Sequence, residues 1–218
     1  MEESTTREKV LKAIRDALVN QTDPPYPAEE KSDGIYADPE SPYHEITFAE
    51  SLAKVNGNFI FNSDENEFLI NLKKLLTSKG IEDLHCYDKG LQHLLNDFGL
   101  FCINAREEYA NCFAGITTCE FLMARTGSIM ISSRQSSGRR GFITPSVHIL
   151  VAWKNQLVYD LKDAFAALKE KYKLKDFPSM VSVITGPSRT ADIEKTLVMG
   201  AHGPEELFVF FIDKDTRN

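Results

Sequence analysis

The segment from Thr185 to Pro204 combines residue types that bind anions and transfer protons at close spacing. Its first turn contains Ser188, Arg189, Thr190 and Asp192. A guanidinium group can hold a carboxylate or phosphate through two hydrogen bonds, and a nearby carboxylate can accept a hydrogen bond from a hydroxyl or amine. These residues therefore indicate an anion-binding turn. A capped helix with a surface Arg–Asp pair is the alternative interpretation.

Gly186 and Pro187 precede these polar residues, directly after an apolar run, Met180–Ile184, that predicts a buried strand. Glycine lets a ligand approach the backbone closely, and proline holds the turn in one shape. We predict a short helix after the turn, capped by Ser188 or Thr190. In an open α/β sheet, such a turn lies at the carboxyl edge, where ligands bind.

His202 lies beside Gly203 in the turn that closes the segment. Imidazole titrates near neutral pH, so His202 is a candidate general acid or base for a 2-hydroxy or 2-oxo acid, as is Asp192. A turn histidine bonded to a backbone carbonyl is equally compatible with the sequence. His148 lies in an apolar run and is expected to be a core histidine with its hydrogen bonds satisfied.

A second polar region, Ser132–Gly141, contains Arg134, Arg139 and Arg140 among serines and glycines. Arginine suits the phosphate groups of a nucleotide or of coenzyme A, so this loop is a candidate anion site. A charged surface loop is the alternative.

Thr126, Gly127 and Ser128 precede an apolar run that predicts a strand. Their hydroxyl and N–H groups can face the same ligand as the arginine loop. They can equally form an ordinary turn.

The elements that must position these residues alternate between strand and helix. Asn58–Phe61 predicts a strand, and a helix with an apolar stripe follows it, capped by Ser63 or Asp64 and ended by Gly80. Further alternation downstream predicts the α/β class, with an open, mainly parallel sheet and flanking helices.

We predict three regions along the chain: an amphipathic helix over residues 1–20, a Pro-rich linker over 21–45 and an α/β domain over 46–218. The apolar stripe of the first helix must be buried somewhere. It can dock on its own core or on a neighbouring subunit, which would make a homo-oligomer.

Composition excludes several classes of protein. The net charge of −7 argues against nucleic acid or an anionic membrane as the main partner. The sequence has no run near the ~18 apolar residues of a membrane span, and its start lacks the apolar core of a signal peptide. The four cysteines show no metal-site or iron–sulfur spacing, so we expect free thiols in a reducing cytoplasm.

The sequences TGPSRTADIE and GAHGPEEL resemble the C-terminal signature of the LUD-domain family, the family of lactate-utilisation proteins. ARTGSIMI, the arginine loop and TPSVHILVAW follow the family pattern in the same order, over roughly Asp64 to Asp213. The resemblance implies a fold similar to the sugar-phosphate isomerase and CoA-transferase superfamily (the NagB/RpiA/CoA-transferase-like fold). It also implies a cytoplasmic role in oxidising L-lactate to pyruvate beside iron–sulfur partner proteins.

Two positions limit what the resemblance transfers. Arg125 stands where many relatives have an acidic residue, so no acid role is carried over to it. CoA-transferases of the superfamily use a glutamate nucleophile, but Glu120 lacks their surrounding motif. We therefore expect Glu120 to be a carboxylate on a helix surface.

Three functions follow from these observations. The first is support of lactate oxidation with a small anionic ligand, such as a nucleotide, a coenzyme A derivative or an organic acid, held by Arg189 with Arg139 or Arg140. The second is a non-catalytic subunit that organises an iron–sulfur oxidoreductase complex. The third is a CoA-transferase-like or isomerase-like enzyme. No metal site is indicated.

Overall fold

The computed structural model of the chain describes residues 6–19, 39, 41–104, 112–138, 140–173, 175–193, 196–200 and 202–216, with the backbone alone described within 190–199. Contacts divide the chain into two units, Met1–Asp38 and Pro39–Asn218, which we describe separately. The first unit contains helix α1 (Thr6–Val19), in which no residue is buried.

The helices of the second unit are α2 (His44–Lys54), α3 (Glu65–Lys79), α4 (Lys89–Asp97) and α5 (Leu161–Lys171). Its strands are β1 (Asn58–Asn62), β2 (Leu84–Cys86), β3 (Ala114–Thr118), β4 (Phe121–Met123), β5 (Ser128–Ser132), β6 (Val147–Trp153), β7 (Leu157–Val158), β8 (Val181–Ile184), β9 (Arg189–Ile193), β10 (Thr196–Met199) and β11 (Glu206–Ile212). Among the described residues, no helix combines the length and apolar character needed to cross a membrane.

Five strands form the main sheet in the order β1-β11-β6-β3-β2, and every neighbouring pair is parallel. This confirms the predicted α/β class with an open, mainly parallel sheet. The proposed similarity to the sugar-phosphate isomerase and CoA-transferase superfamily stays a prediction, as do the three predicted regions of the chain.

A second sheet has the order β7-β4-β5-β8. Its β5 pairs antiparallel with both β4 and β8, whereas β7 pairs parallel with β4. The sequence predicts a buried strand at β8, but this strand has an antiparallel partner and partly exposed side chains.

Three apolar clusters hold these layers together. The first packs α3 and α4 against one face of the main sheet, and the second packs the other face against α2 and the second sheet. The third lies between the second sheet and α5. Strand β6 is buried on both faces, with Ile149 in the first cluster and Leu150 in the second, as is usual for the central strand of a parallel sheet.

Local signals determine the ends of helix α3 as the sequence predicts. The side chain of Asp64 accepts a hydrogen bond of 2.9 Å from the backbone N–H of Glu67, which satisfies one unpaired donor of the first turn. Gly80 ends the helix with φ of 63°, in the left-handed region that favours glycine.

The predicted helix after Pro187 is wrong, because β9 and β10 form an antiparallel hairpin there. Its sequence contains the β-branched residues Thr190, Ile193, Thr196 and Val198, which favour extended backbone over helix. Neither Ser188 nor Thr190 can therefore cap a helix, and no helix start faces a ligand at this position.

His148, on β6, faces the cluster between the two sheets and is fully buried. Its Nε2 lies 2.7 Å from the Thr117 hydroxyl, whereas its Nδ1 has no hydrogen-bond partner among the described residues. His148 is therefore a core histidine as predicted. The prediction that all its hydrogen bonds are satisfied is wrong, because Nδ1 has no partner among the described residues. Burial lowers the pKa of His148 from 6.5 to about 4.

This shift predicts a specific loss of stability in acid. Between pH 6.5 and about 4, the unfolded chain binds a proton at this histidine that the folded chain does not, so the free energy of unfolding falls as the pH falls. From pH 7 to pH 5, His148 should account for a loss of about 2 kcal/mol. Urea unfolding at pH 7 and pH 5 measures this effect. The free energy of unfolding should fall by about 2 kcal/mol less in His148→Phe than in the wild-type protein.

His93, an exposed histidine on α4, provides the matched control. We expect His93→Phe to retain the loss of stability that His148 causes between pH 7 and pH 5. Equal pH dependence in the wild-type protein and His148→Phe would contradict the assignment of a neutral, buried His148.

Candidate functional site

A cavity of about 630 Å³ lies at the carboxyl edge of the main sheet, and we name it the carboxyl-edge cavity. Thr118 at the end of β3 and Trp153 at the end of β6 contribute to its wall. The segments that follow other strands also reach it, including Asp88 after β2 and Glu120 after β3. Ligands of open α/β sheets bind at this edge, so the cavity has the position expected of a functional site.

Glu120 is buried in this cavity wall and accepts hydrogen bonds from three side chains. Ser132 Oγ and Tyr172 OH donate to Glu120 Oε1 over 2.6 and 3.0 Å, and Lys171 Nζ donates to Oε2 over 2.7 Å. The expectation of a helix-surface carboxylate is wrong, because Glu120 lies in the short connection between β3 and β4. Its burial is tolerated because donors occupy both oxygens.

These contacts hold the neighbouring groups in defined protonation states. Burial works against the charge of Lys171, but the hydrogen bond and charge of Glu120 outweigh it and raise the pKa of Lys171. Burial, followed by the Glu120 charge, raises the pKa of both Tyr172 and the Cys119 thiol. All three groups therefore stay protonated at neutral pH, and Cys119 does not supply a thiolate nucleophile.

The geometry of Glu120 also bears on nucleophilic catalysis. A carboxylate oxygen has about two acceptor positions, and Oε1 already accepts from both Ser132 and Tyr172. Oε2 is held by Lys171 in an ion pair. The arrangement suits a group that positions Lys171 better than a carboxylate that attacks a substrate.

Part of the predicted arginine loop reaches the carboxyl-edge cavity. Arg134 lines it, and Nε of Arg134 donates to the backbone oxygen of Asp176 over 2.8 Å. Gln135 fastens the loop to β3, since its Nε2 donates to the Thr118 carbonyl over 2.6 Å. Arg140 lies in a short 3-10 helix outside the wall of this cavity, and Arg139 lies outside the described residues.

A second cavity, of about 270 Å³, lies between the two sheets at the amino-terminal ends of β6 and β11, and we name it the interlayer cavity. His148 and Leu207 line it from the main sheet, and Ile131 lines it from the second sheet. The structure brings five of the predicted site residues to its wall: Gly186, Pro187, Ser188, His202 and Gly203.

The predicted location of this segment at the carboxyl edge is wrong. Strand β8 belongs to the second sheet, so the turn that follows it reaches the amino-terminal end of the main sheet instead. Arg189 is exposed and does not line the interlayer cavity. The side chains of Thr190 and Asp192 lie outside the description, so their roles stay predictions.

None of the three residues of the Thr126–Ser128 turn is among the described residues that line either cavity. Gly127 has φ of 59°, and a Cβ there would collide with the backbone nitrogen of Leu52 in α2. Ser128 Oγ lies 2.8 Å from the Thr185 hydroxyl. These contacts explain why the turn needs glycine, and they favour the interpretation of an ordinary turn over that of a ligand site.

Arg125 forms an ion pair with Asp160. Its Nε and Nη2 donate to the two carboxylate oxygens of Asp160 over 2.8 and 3.0 Å. Asp160 is buried and also accepts from the backbone N–H of Leu161 at the start of α5. Arg125 therefore connects the end of β4 to the first turn of α5.

His148, Glu120 and Lys171 are not among the site residues that the sequence predicts. For Glu120 a signal existed, since a glutamate between Cys119 and Phe121 in an apolar segment favours burial with a partner. No local pattern identified Lys171. Within the described ranges, His, Cys, Asp and Glu side chains form no group of three or more that could hold a metal ion.

The chain is similar to known proteins in both sequence and fold. A model of the LUD domain matches residues 3–212. Lactate utilization protein C of Bacillus licheniformis is 37% identical over 100 residues, which cover 45% of this chain and 41% of that protein. Lactate utilization protein C of a Geobacillus species (strain WCH70) is 31% identical over 163 residues, which cover 72% of this chain and 64% of that protein.

The chain thus spans between 41% and 64% of the length of these two relatives. A DUF162 family protein from Deinococcus radiodurans has a similar fold, with a TM-score of 0.59 at 18% identity, covering 80% of this chain and 99% of that protein. Since the domain model matches residues 3–212 of 218, the chain belongs to the LUD domain family.

Proposed function

We propose that this chain takes part in lactate utilisation by binding a small hydroxy acid or related organic anion in the carboxyl-edge cavity. The observation that carries the proposal is the buried Glu120–Lys171 pair in the wall of that cavity. Lys171 has three N–H donors and gives one to Glu120, so two remain for a ligand carboxylate. The names of the two Lactate utilization protein C relatives support the wider role.

The described residues that line the cavity carry both signs of charge, with four carboxylates (Glu65, Asp88, Asp97 and Glu120) and two cationic side chains. Lys171 and Arg134 supply positive charge from α5 and the arginine loop. Asp88 and Asp97 supply carboxylates from the two ends of α4. A ligand carboxylate would bind the cationic side, and a ligand hydroxyl would donate to the acidic side. A volume of about 630 Å³ also admits a larger anion, such as a nucleotide or a coenzyme A fragment.

In the wider role, we propose that the chain acts in the cytoplasm beside iron–sulfur proteins that oxidise L-lactate to pyruvate. The four cysteines are free thiols without cluster spacing, and three of them are buried. Electron transfer would therefore belong to the partner proteins, and this chain would bind the organic acid.

A second candidate function is organisation of that complex without chemistry. Helix α1 favours it, because Val10, Ile14 and Leu18 are exposed apolar residues on a predicted amphipathic helix. A contiguous apolar stripe of this kind is typical of helices that dock in a groove of a partner.

The ligand proposal predicts a loss of affinity when the cationic side is neutralised. L-lactate should bind more tightly than propionate, which lacks the hydroxyl group. Arg134→Gln should weaken L-lactate binding about tenfold, because a charge-assisted hydrogen bond is lost at a partly exposed side chain. Isothermal titration calorimetry measures both effects.

The matched control for this experiment is Arg140→Gln, which makes the same charge change in the same loop outside the cavity wall. It should leave the affinity unchanged. The absence of saturable L-lactate binding, or equal losses in the two variants, would refute the ligand proposal.

The cellular proposal predicts a growth defect. Deleting the gene in its native host should slow growth on L-lactate and leave growth on glucose unchanged. The wild-type gene and Arg140→Gln should restore growth, whereas Arg134→Gln should restore it poorly. Unimpaired growth of the deletion strain on L-lactate would count against a role in lactate utilisation.

The organising role predicts that residues 1–44 are needed for partner capture. A pull-down of the iron–sulfur lactate-utilisation proteins of the same host should fail with the truncated chain. The truncated chain should still bind L-lactate if its fold is intact. Capture that survives the truncation would exclude α1 as the docking element.

A further inference from the structure

Two turns of the segment Thr185–Pro204 form one side of the interlayer cavity. Gly186 adopts φ of 78°, and a Cβ at this position would collide with the carbonyl oxygen of Val55. The backbone N–H of Ser188 donates to the Pro204 carbonyl over 2.7 Å, which joins the two turns. At Gly203, a Cβ would lie 3.2 Å from that of Ser188. The glycines and prolines therefore bring two turns into close contact along one side of the cavity.

The cavity wall lacks formal charge. Among the described residues that line it, none is Asp, Glu, Lys or Arg. Its apolar surface comes from residues such as Ile131, Phe142 and Leu207, and its polar side chains are those of histidine, serine and threonine. A buried ion without a partner is strongly disfavoured, so this wall favours an uncharged ligand group.

His148 supplies the polar atom that selects the ligand. It lines the cavity, it is fully buried, and its Nδ1 has no partner among the described residues. A neutral imidazole has one donor nitrogen and one acceptor nitrogen. The Thr117 hydroxyl can donate to Nε2 or accept from it, so Nδ1 is either the donor or the acceptor. A ligand hydroxyl complements both cases, because it can donate as well as accept.

We propose that the interlayer cavity is a second binding site, for a small, uncharged, mainly apolar molecule whose hydroxyl group hydrogen-bonds to His148 Nδ1. The volume of about 270 Å³ is sufficient, since an apolar cavity of roughly 150 Å³ can hold benzene. The site lies at the opposite end of the main sheet from the carboxyl-edge cavity. It therefore does not depend on the proposed role in lactate utilisation.

Three probes of similar size test this proposal: phenol, toluene and benzoate. The full chain, with its histidines labelled with ¹⁵N, is titrated with each probe and followed by NMR. Phenol should bind saturably and shift the ring nitrogens of His148. Toluene should bind about three- to tenfold more weakly, because it lacks the hydrogen bond. Benzoate should bind at least tenfold more weakly than phenol, because its charge would be unpaired.

Two variants connect the binding to this cavity. His148→Phe should bind phenol and toluene with equal affinity, since the polar atom is gone and an apolar ring remains. Ile143→Trp enlarges an exposed side chain of the cavity wall and should abolish phenol binding with little effect on folding. Ile70→Trp makes the same change at an exposed position of α3 outside the wall and should leave binding unchanged.

The outcomes separate clearly. Saturable phenol binding that is lost in Ile143→Trp and kept in Ile70→Trp supports the site, as does loss of the phenol preference in His148→Phe. Absence of saturable phenol binding overturns it, and so does benzoate binding as tight as phenol binding. If His148→Phe does not fold, the Ile143→Trp result decides alone. Arg134→Gln should leave phenol binding unchanged, which keeps this proposal independent of the lactate-binding proposal.

Discussion

Burial of the central strand β6 on both faces is the constraint on which the rest of this structure depends. Its odd-numbered apolar side chains pack against α3 and α4, and its even-numbered ones pack against the second sheet. A sheet covered on both faces exposes its strand ends most readily to a ligand. The two cavities lie at these ends, the carboxyl-edge cavity after β6 and the interlayer cavity at its start.

The buried polar side chains near the two ends of β6 differ in their hydrogen-bond and charge partners. At the carboxyl end, Glu120 accepts hydrogen bonds from three donors, among them the ammonium of Lys171. At the amino end, His148 is neutral, because burial is not offset there by a nearby carboxylate. Charge compensation therefore distinguishes the two ends: an ion pair lies in the wall of the carboxyl-edge cavity, whereas the described residues that line the interlayer cavity include no Asp, Glu, Lys or Arg.

Signals that act over a few residues allowed much of the fold to be predicted. Asp64 and Gly80 determine the ends of α3 through contacts within one turn, and the alternation of strands with helices predicted a mainly parallel sheet. Glu120 could not be placed in this way. Its donors lie 12, 51 and 52 residues away in the chain, so their convergence depends on the pairing of the layers.

In the segment from Thr185 to Pro204, an incorrect prediction of the local structure changes the location of the predicted site. A helix after Pro187 would have grouped Ser188, Arg189 and Asp192 around one positive helix end. In the extended backbone that leads into β9, successive side chains point in opposite directions. Ser188 accordingly lines the interlayer cavity, whereas Arg189 is exposed. Of these three residues, Ser188 thus contributes to the wall of the interlayer cavity, and the positive charge at the carboxyl edge comes from Arg134 and Lys171 instead.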